Sequence, residues 1–261
     1  MAINKTDAIV LSKRDFRETS VIANFYTRDF GKMTGLLKGL RTEPAKFASS
    51  VEPFSYNEIV FYQKRNSALH LVSQCDLKED FYNLKKDLPK LSLCSLIMEL
   101  VSEIMPPEDK NESVFDLILD TLKEIDSNNN PYKVTLLFKI KILALSGFKP
   151  HFDSCVSCGS KINGESKFSL SLGGLLCLKC FKKDTGARQI FRGTIATVIY
   201  IQKNDFKTNM NLGLNPQIKK ELEIIVNSFL NFHLEKQLKS EQVINKLIAE
   251  PQENFAGSKN L

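Results

Sequence analysis

The stretch SVEPFSYNEIVFYQKRNSALHLVSQCDLKEDFYNLKKDLPKLSLCSLIMELVSEIMPP, residues 50–107, changes its hydrophobic period part-way along. Residues 50–62 carry Phe54, Tyr56, Ile59, Phe61 and Tyr62, and 67–75 form a second β-rich run. Lys64-Arg65-Asn66 separates the two as a turn. From Asp76 onward the pattern is helical, with Cys94, Ile97, Leu100, Val101 and Ile104 on one face until Pro106-Pro107 stop it. A boundary between two structural regimes therefore falls near residues 76–88.

Working toward the N-terminus, residues 5–12, 20–27 and 32–38 read as three further strands, the last after the turn Asp29-Phe30-Gly31. Residues 39–49, with Pro44 and no clear period, are a loop or a short helix. Five strands at this spacing predict a small sandwich or barrel.

Toward the C-terminus, Val114, Leu117, Ile118, Leu122 and Ile125 form an apolar stripe. Asn130-Pro131 caps the next helix, which runs through Leu136, Leu137, Ile140, Leu143 and Ala144 to a C-cap at Gly147. Helical pattern returns over 186–203 and again after Asn215-Pro216, where Leu222, Ile225, Val226, Phe229 and Leu230 line up. The tail 251–261 has little to bury. Strands first and helices after predict an α+β chain with segregated domains.

The chain of 261 residues is 43% hydrophobic and 25% charged, which excludes wholesale disorder. No apolar run approaches the roughly 18 residues that a membrane span needs, and the N-terminus lacks a signal-peptide cleavage pattern. The net charge of +6 permits a polyanionic partner without requiring one.

Cys155-x-x-Cys158 and Cys177-x-x-Cys180 stand eighteen residues apart. This is the spacing of a zinc site, in which two thiolates on each of two tight turns complete a tetrahedron. Gly159 supplies the left-handed backbone such a turn needs. Four thiolates leave no open position, so the expected Zn2+ is structural rather than catalytic. His151 reads as a surface residue, and Cys75 and Cys94 as small buried hydrophobes. A deaminase site needs a His-x-Glu and a Pro-Cys-x-x-Cys, but Leu176 precedes Cys177.

There is no phosphate-binding G-x-x-x-x-G-K-[ST], no G-x-G-x-x-G, no H-E-x-x-H and no G-x-S-x-G. With three histidines and no convergent carboxylate pair, the expectation is no enzyme.

In the β half, Lys13, Arg14 and Arg17 follow the first strand. Lys38 and Arg41 follow the third, Lys46 lies in the loop, and Lys64 and Arg65 occupy the last turn. A cationic groove with aromatic platforms is how OB-folds hold single strands. Phe16, Phe47, Tyr56 and Tyr62 are the candidate platforms, weighed against a place in the core.

DAIVLSKRDFRETS, NFYTRDFGKMTGLLKGLR and VEPFSYNEIVFY, with the helical continuation and the paired cysteines, resemble the RecO family of bacterial recombination mediators over residues 5–248. Lys38, Gly39 and Arg41 match a family Lys-Gly-x-Arg element, and Glu18 matches an acidic position after the first strand. Leu40 stands where the family has a small residue and Thr42 where it often has a basic one.

The resemblance implies an N-terminal five-stranded OB-fold barrel (1–80). An all-helical domain (81–250) would follow, carrying a four-cysteine zinc-ribbon-like insertion (152–183). It implies binding of single- and double-stranded DNA, strand annealing, and partnership with RecR. It also implies contact with the C-terminal tail of single-stranded-DNA-binding protein, help in loading RecA, and a bacterial cytoplasmic, nucleoid-associated location. Lys182, Lys183, Arg188, Arg192, Lys219 and Lys220, with apolar Leu222 and Phe229, are the material for that tail contact. The alternatives are an RNA-binding or ribosome-associated zinc-ribbon protein and a zinc-dependent enzyme.

Overall fold

The computed structural model describes residues 2–43, 47, 51–64, 67–127 and 130–249. Strand β1 (Ala2–Phe16) is followed by β2 (Ser20–Thr27), β3 (Gly31–Leu37), β4 (Tyr56–Gln63) and β5 (Leu69–Glu79). They close into a barrel in the order β1-β2-β3-β5-β4, with only β3 and β5 parallel. This is the five-stranded OB arrangement. Closure depends on β1, whose first half pairs with β4 and whose second half pairs with β2. The register shifts between Val10 and Ser12, leaving Leu11 as a bulge that bends the strand from one neighbour to the other.

Alternation fills the barrel. Ala8, Val10, Phe25, Met33, Leu37, Ile59, Phe61 and Val72 point inward and are buried. Leu40 joins them. Cys75 packs in the same interior.

β1 and β5 are longer than the sequence suggests, while β4 begins at Tyr56 rather than at residue 50. The reason is local. Phe54 N–H donates to the Val10 carbonyl and Val10 N–H to the Ser55 carbonyl, both at the bulge. Val51 (φ 54°) and Phe54 (φ 73°) take left-handed backbone there, which no strand accommodates. Residues 39–43 form a turn, whereas 44–46 and 48–50 lie outside the described residues.

The helices α1 (Tyr82–Lys86), α2 (Leu88–Ile104), α3 (Glu112–Ser127) and α4 (Pro131–Leu145) come next. Asp87 accepts the Lys90 N–H and Asn130 the Lys133 N–H, so each caps a helix whose proline sits in the first turn. α2 and α4 bury side chains on nearly every face, including Cys94, because they run through the centre of the domain. Strands β6 (Ser166–Ser169), β7 (Gly174–Cys177) and β8 (Arg188–Gln189) form a small sheet in the order β7-β6-β8. Then follow α5 (Arg192–Lys203), α6 (Phe206–Met210), α7 (Pro216–Leu234) and α8 (Lys239–Ala249). The expected helix over 186–203 is thus shorter, its first residues serving as β8.

Barrel and helices share one apolar core. Ile9, Leu11, Tyr26 and Phe54 leave the barrel's outer surface and pack among the helices. Polar contacts fix the junction. The Arg28 guanidinium stacks over the Phe115 ring at 4.4 Å and pairs with Asp116 at 2.8 Å. Glu108 N–H donates to the Lys32 carbonyl at 2.9 Å. Gly31, with φ of +62°, admits the backbone of Asp109 where a Cβ would stand 2.1 Å from its carbonyl oxygen.

Candidate nucleic-acid face and metal centre

The strand registers place the basic residues of the barrel. β1 and β2 turn over at Arg17-Glu18-Thr19, and Leu37, the last residue of β3, lies opposite Val21. Lys13, Arg14, Arg17, Lys38 and Arg41 therefore gather at one end of the barrel, and all five are exposed. Arg41 stitches this end together. Its N–H donates to the Thr19 carbonyl, its guanidinium donates to the Arg17 carbonyl at 3.1 Å, and it pairs with Asp15 at 3.5 Å. Lys13 is paired with Glu52 at 2.6 Å. Lys64 is not part of this group, since it follows Gln63, the partner of Ala2 at the other end of β1. Lys46 and Arg65 lie outside the described residues.

The outer face beside this end has a composition that no single strand reveals. Tyr62, Leu71, Leu36, Ile22 and Arg14 are successive cross-strand neighbours over β4, β5, β3, β2 and β1. The row is apolar, with a tyrosine at one end and a cation at the other. Next to it, Thr34 donates to Asn24 and Asn24 to Ser12, each at 2.9 Å. Phe16 and Tyr62 are half-buried on this outer surface, and Arg17 stacks over Phe16 at 5.2 Å. The other two aromatic candidates take the alternative place, in the core. Phe47 is buried in the barrel interior. The Tyr56 hydroxyl donates to Asp7 and its ring meets Phe115, so it serves the domain junction.

The candidate metal centre is built from two turns. Gly159 N–H donates to the Cys155 carbonyl at 2.8 Å, and Gly159 has a φ of +71°. This closes the first turn between Cys155 and Cys158. The second begins where β7 ends at Cys177 and a 3-10 helix (Leu178–Lys183) carries Cys180. All four sulfurs lie within 4.8 Å of one another, and Cys158 Sγ and Cys177 Sγ are 3.7 Å apart. A tetrahedron of Zn–S bonds at about 2.3 Å has edges of about 3.8 Å, so the cluster has the size of a four-thiolate zinc site. The Ser160 hydroxyl and N–H, followed by the neighbouring cysteines, hold the Cys158 thiol down to about 6, whereas at Cys180 a hydrogen bond from Ser157 is outweighed by burial and the neighbouring cysteines, which push the thiol up to about 11. His151 is exposed and lies outside the cluster, its ring bonded to Ser154 at 2.7 Å.

The module is anchored by aromatics. Phe152 stacks on Phe168 at 5.2 Å, and Phe168 meets Phe229 of α7 at 6.1 Å. Phe229 and Leu222 are accordingly 2% and 0% exposed. They belong to the helical core. Of the remaining residues suggested for partner contact, Lys182, Lys183, Arg188, Arg192 and Lys220 are exposed, and Lys219 pairs with Glu223 at 3.8 Å. Among the described residues, no helix is long and apolar enough to cross a membrane.

Two family profiles match the chain. "Recombination protein O N terminal" covers residues 1–81, and "Recombination protein O C terminal" covers residues 85–242. The DNA repair protein RecO of Thermoanaerobacter sp. (strain X514) is 31% identical over 95% of this chain and 99% of its own length. The DNA repair protein RecO of Alkaliphilus metalliredigens (strain QYMF) is 31% identical over 89% of this chain and 94% of its own. That of Dehalococcoides mccartyi (strain ATCC BAA-2266 / KCTC 15142 / 195) is 30% identical over 90% and 92%.

Proposed function

The chain belongs to the RecO family of DNA repair and recombination proteins, and on that premise we propose that it is a non-enzymatic mediator that binds DNA through the barrel and anneals complementary strands. The observation that carries this reading is the basic end of the barrel beside the Tyr62-to-Arg14 row. Cations neutralise phosphates, while the half-buried Leu36, Leu71, Phe16 and Tyr62 give bases a surface to lie on. Annealing needs no bond chemistry. Reducing phosphate repulsion between two strands lets base pairing drive the reaction.

In this reading residues 1–80 form the nucleic-acid domain and 81–250 the partner domain. Partners are RecR and the acidic tail of single-stranded-DNA-binding protein, and the outcome is RecA loading on coated single strands in the bacterial cytoplasm. Cys155, Cys158, Cys177 and Cys180 would hold one Zn2+, whose role is to cross-link two turns of chain. With every ligand a thiolate, the site activates no water. The ribosome-associated alternative is set aside because the family profiles span both halves of the chain.

The test is annealing of complementary strands coated with single-stranded-DNA-binding protein, with and without this protein. Acceleration that requires the basic barrel end supports the reading. A preference for structured RNA with no annealing overturns it.

A further inference from the structure

Charge is distributed unevenly along the chain. Residues 149–192, which contain the cysteine module, hold eight Lys and Arg against three Asp and Glu, or +5 of the total +6. Residues 80–148, which supply α1 to α4, carry the opposite balance, with eight cations against eleven carboxylates. A zinc tetrathiolate would bring two negative charges, and the module would still hold about +3.

Within the module, Arg192 donates to the Asn163 carbonyl and Lys167 lies over the Phe181 ring. Among the described residues none of the eight forms an ion pair with a carboxylate. Two nearby carboxylates are occupied instead. Asp184 accepts from Ser169, Ser171 and the Gly186 N–H, and Glu221 accepts from the Phe191 N–H.

An exposed aromatic sits within the cations. Phe191 is 54% exposed between β8 and α5, with Arg188 three residues before it and Arg192 beside it. The ordinary reason for a phenylalanine, burial, does not apply. Phe181, half-buried, lies under the Lys167 ammonium at 5.0 Å. Cations without carboxylate partners around an exposed ring suit a polyanion with flat, stackable groups, and a single nucleic-acid strand has that chemistry. An acidic peptide would match the charge and leave the Phe191 ring without a stacking partner.

We infer that the outer face of the cysteine module, centred on Lys182, Lys183, Arg188, Phe191 and Arg192, is a second single-strand binding face, separate from the barrel. It deepens the annealing reading and rests on it. The barrel packs on the helical core through Ile9, Leu11, Tyr26 and Phe54, and the module through Phe152, Phe168 and Phe229. Each can hold a strand of its own, and one molecule would then carry two strands at once.

The experiment uses the full chain. One strand is immobilised, the protein is loaded, and capture of a second, non-complementary labelled strand is measured. The variant is Lys182→Ala, Lys183→Ala, Arg188→Ala and Phe191→Ala together, with zinc content and melting checked against the wild type. Expected is at least a fivefold loss of second-strand capture, with binding of the first strand within about twofold of wild type. Photocrosslinking with iodo-deoxyuridine strands should also label the peptide containing Phe191. Unchanged second-strand capture by a folded, zinc-replete variant overturns the inference. So does a loss confined to binding of an acidic tail peptide, which would make the face a protein-docking surface. Failure of the wild type to bind even the first strand would overturn the barrel reading instead, and is distinguishable from both.

Discussion

The barrel and the cysteine module both present cations on small β-structures, yet different forces hold them in shape. The barrel closes on itself, leaves no sheet edge, and fills its interior with Phe25, Phe61, Leu37, Ile59 and their neighbours. The module has strands of four, four and two residues. Its own cluster contains little beyond Cys155, Leu176, Cys180 and Ala187. So little apolar surface cannot offset the conformational entropy of ordering the segment. A metal bonded to both turns would supply what the core cannot. One basic surface would then rest on hydrophobic burial and the other on metal–thiolate bonds, and the two supports should fail under different treatments.

The largest effect should come from the metal side. Zinc binding by small structural sites is worth about 10–16 kcal/mol, and in such sites this is folding energy. Cys158→Ser should remove most bound zinc and unfold the module locally, exposing residues 150–190 to proteolysis while the barrel persists. Zinc analysis and limited proteolysis check this. Full protease resistance in a zinc-free protein would show that the Phe152–Phe168–Phe229 contacts suffice and would break the contrast.

The reciprocal change lies in the barrel. Phe61 is 1% exposed and meets Phe30 edge-on at 5.2 Å. Phe61→Ala should cost about 3–5 kcal/mol through reduced burial and a cavity. Denaturant unfolding measures it, and zinc content should not change. A coupled loss of zinc would mean that the two regions do not fail independently.

Which of these features the sequence discloses depends on how local they are. The switch of period after Asp76 marks the passage from barrel to helices because alternation and helical spacing are both short-range. The cysteine spacing is likewise local, and the four sulfurs do converge. What single strands do not disclose is which face is inside once five of them close. Phe47 enters the barrel and Tyr56 the domain junction, while Tyr62 joins a row of residues drawn from five strands. Helix α7 misleads for a related reason. Its apolar stripe with Leu222 and Phe229 is equally a core face or a docking face until its neighbours are known, and Phe168 comes from a distant part of the chain to cover it. Phe191 does carry a local signal, a lone aromatic between two arginines with no periodic partner, but reading 186–203 as one helix absorbs it.

A smaller effect concerns binding rather than folding. Arg14→Ala, Arg17→Ala, Lys38→Ala and Arg41→Ala together should weaken binding to all sequences alike. On single strands the log–log salt slope should fall by about 0.7 for each phosphate that is no longer neutralised. Titration at several salt concentrations measures it, with melting checked alongside because Arg41 also donates to the Arg17 carbonyl and pairs with Asp15. Wild-type affinity and slope in this variant would move the principal strand site to the module.

The smallest effect tests the seam between barrel and helices. Burial would raise the Asp7 carboxyl, but the Lys78 ammonium at 2.5 Å, the Tyr56 hydroxyl at 2.8 Å and Arg28 outweigh it and hold it below the usual carboxylate range. A carboxyl depressed by folding stabilises the protein above its unfolded pKa of about 3.9, and that contribution is lost as pH falls through the lower, folded value. Stability should therefore decline below about pH 4, in part because Asp7 takes up a proton and releases Lys78 and Arg28. Arg28 also stacks on Phe115 and pairs with Asp116, so the loss reaches the helical side. Asp7→Asn should cost about 1–2 kcal/mol at pH 7 and flatten the acid limb of stability against pH, leaving zinc content unchanged. Denaturant midpoints measured from pH 7 down to pH 3 decide it. An acid limb as steep in the variant as in the wild type would place the acid-sensitive contact elsewhere, with Glu99, which accepts from Ser240 and from the Lys239 N–H between α2 and α8, next in line because its carboxyl is also held low.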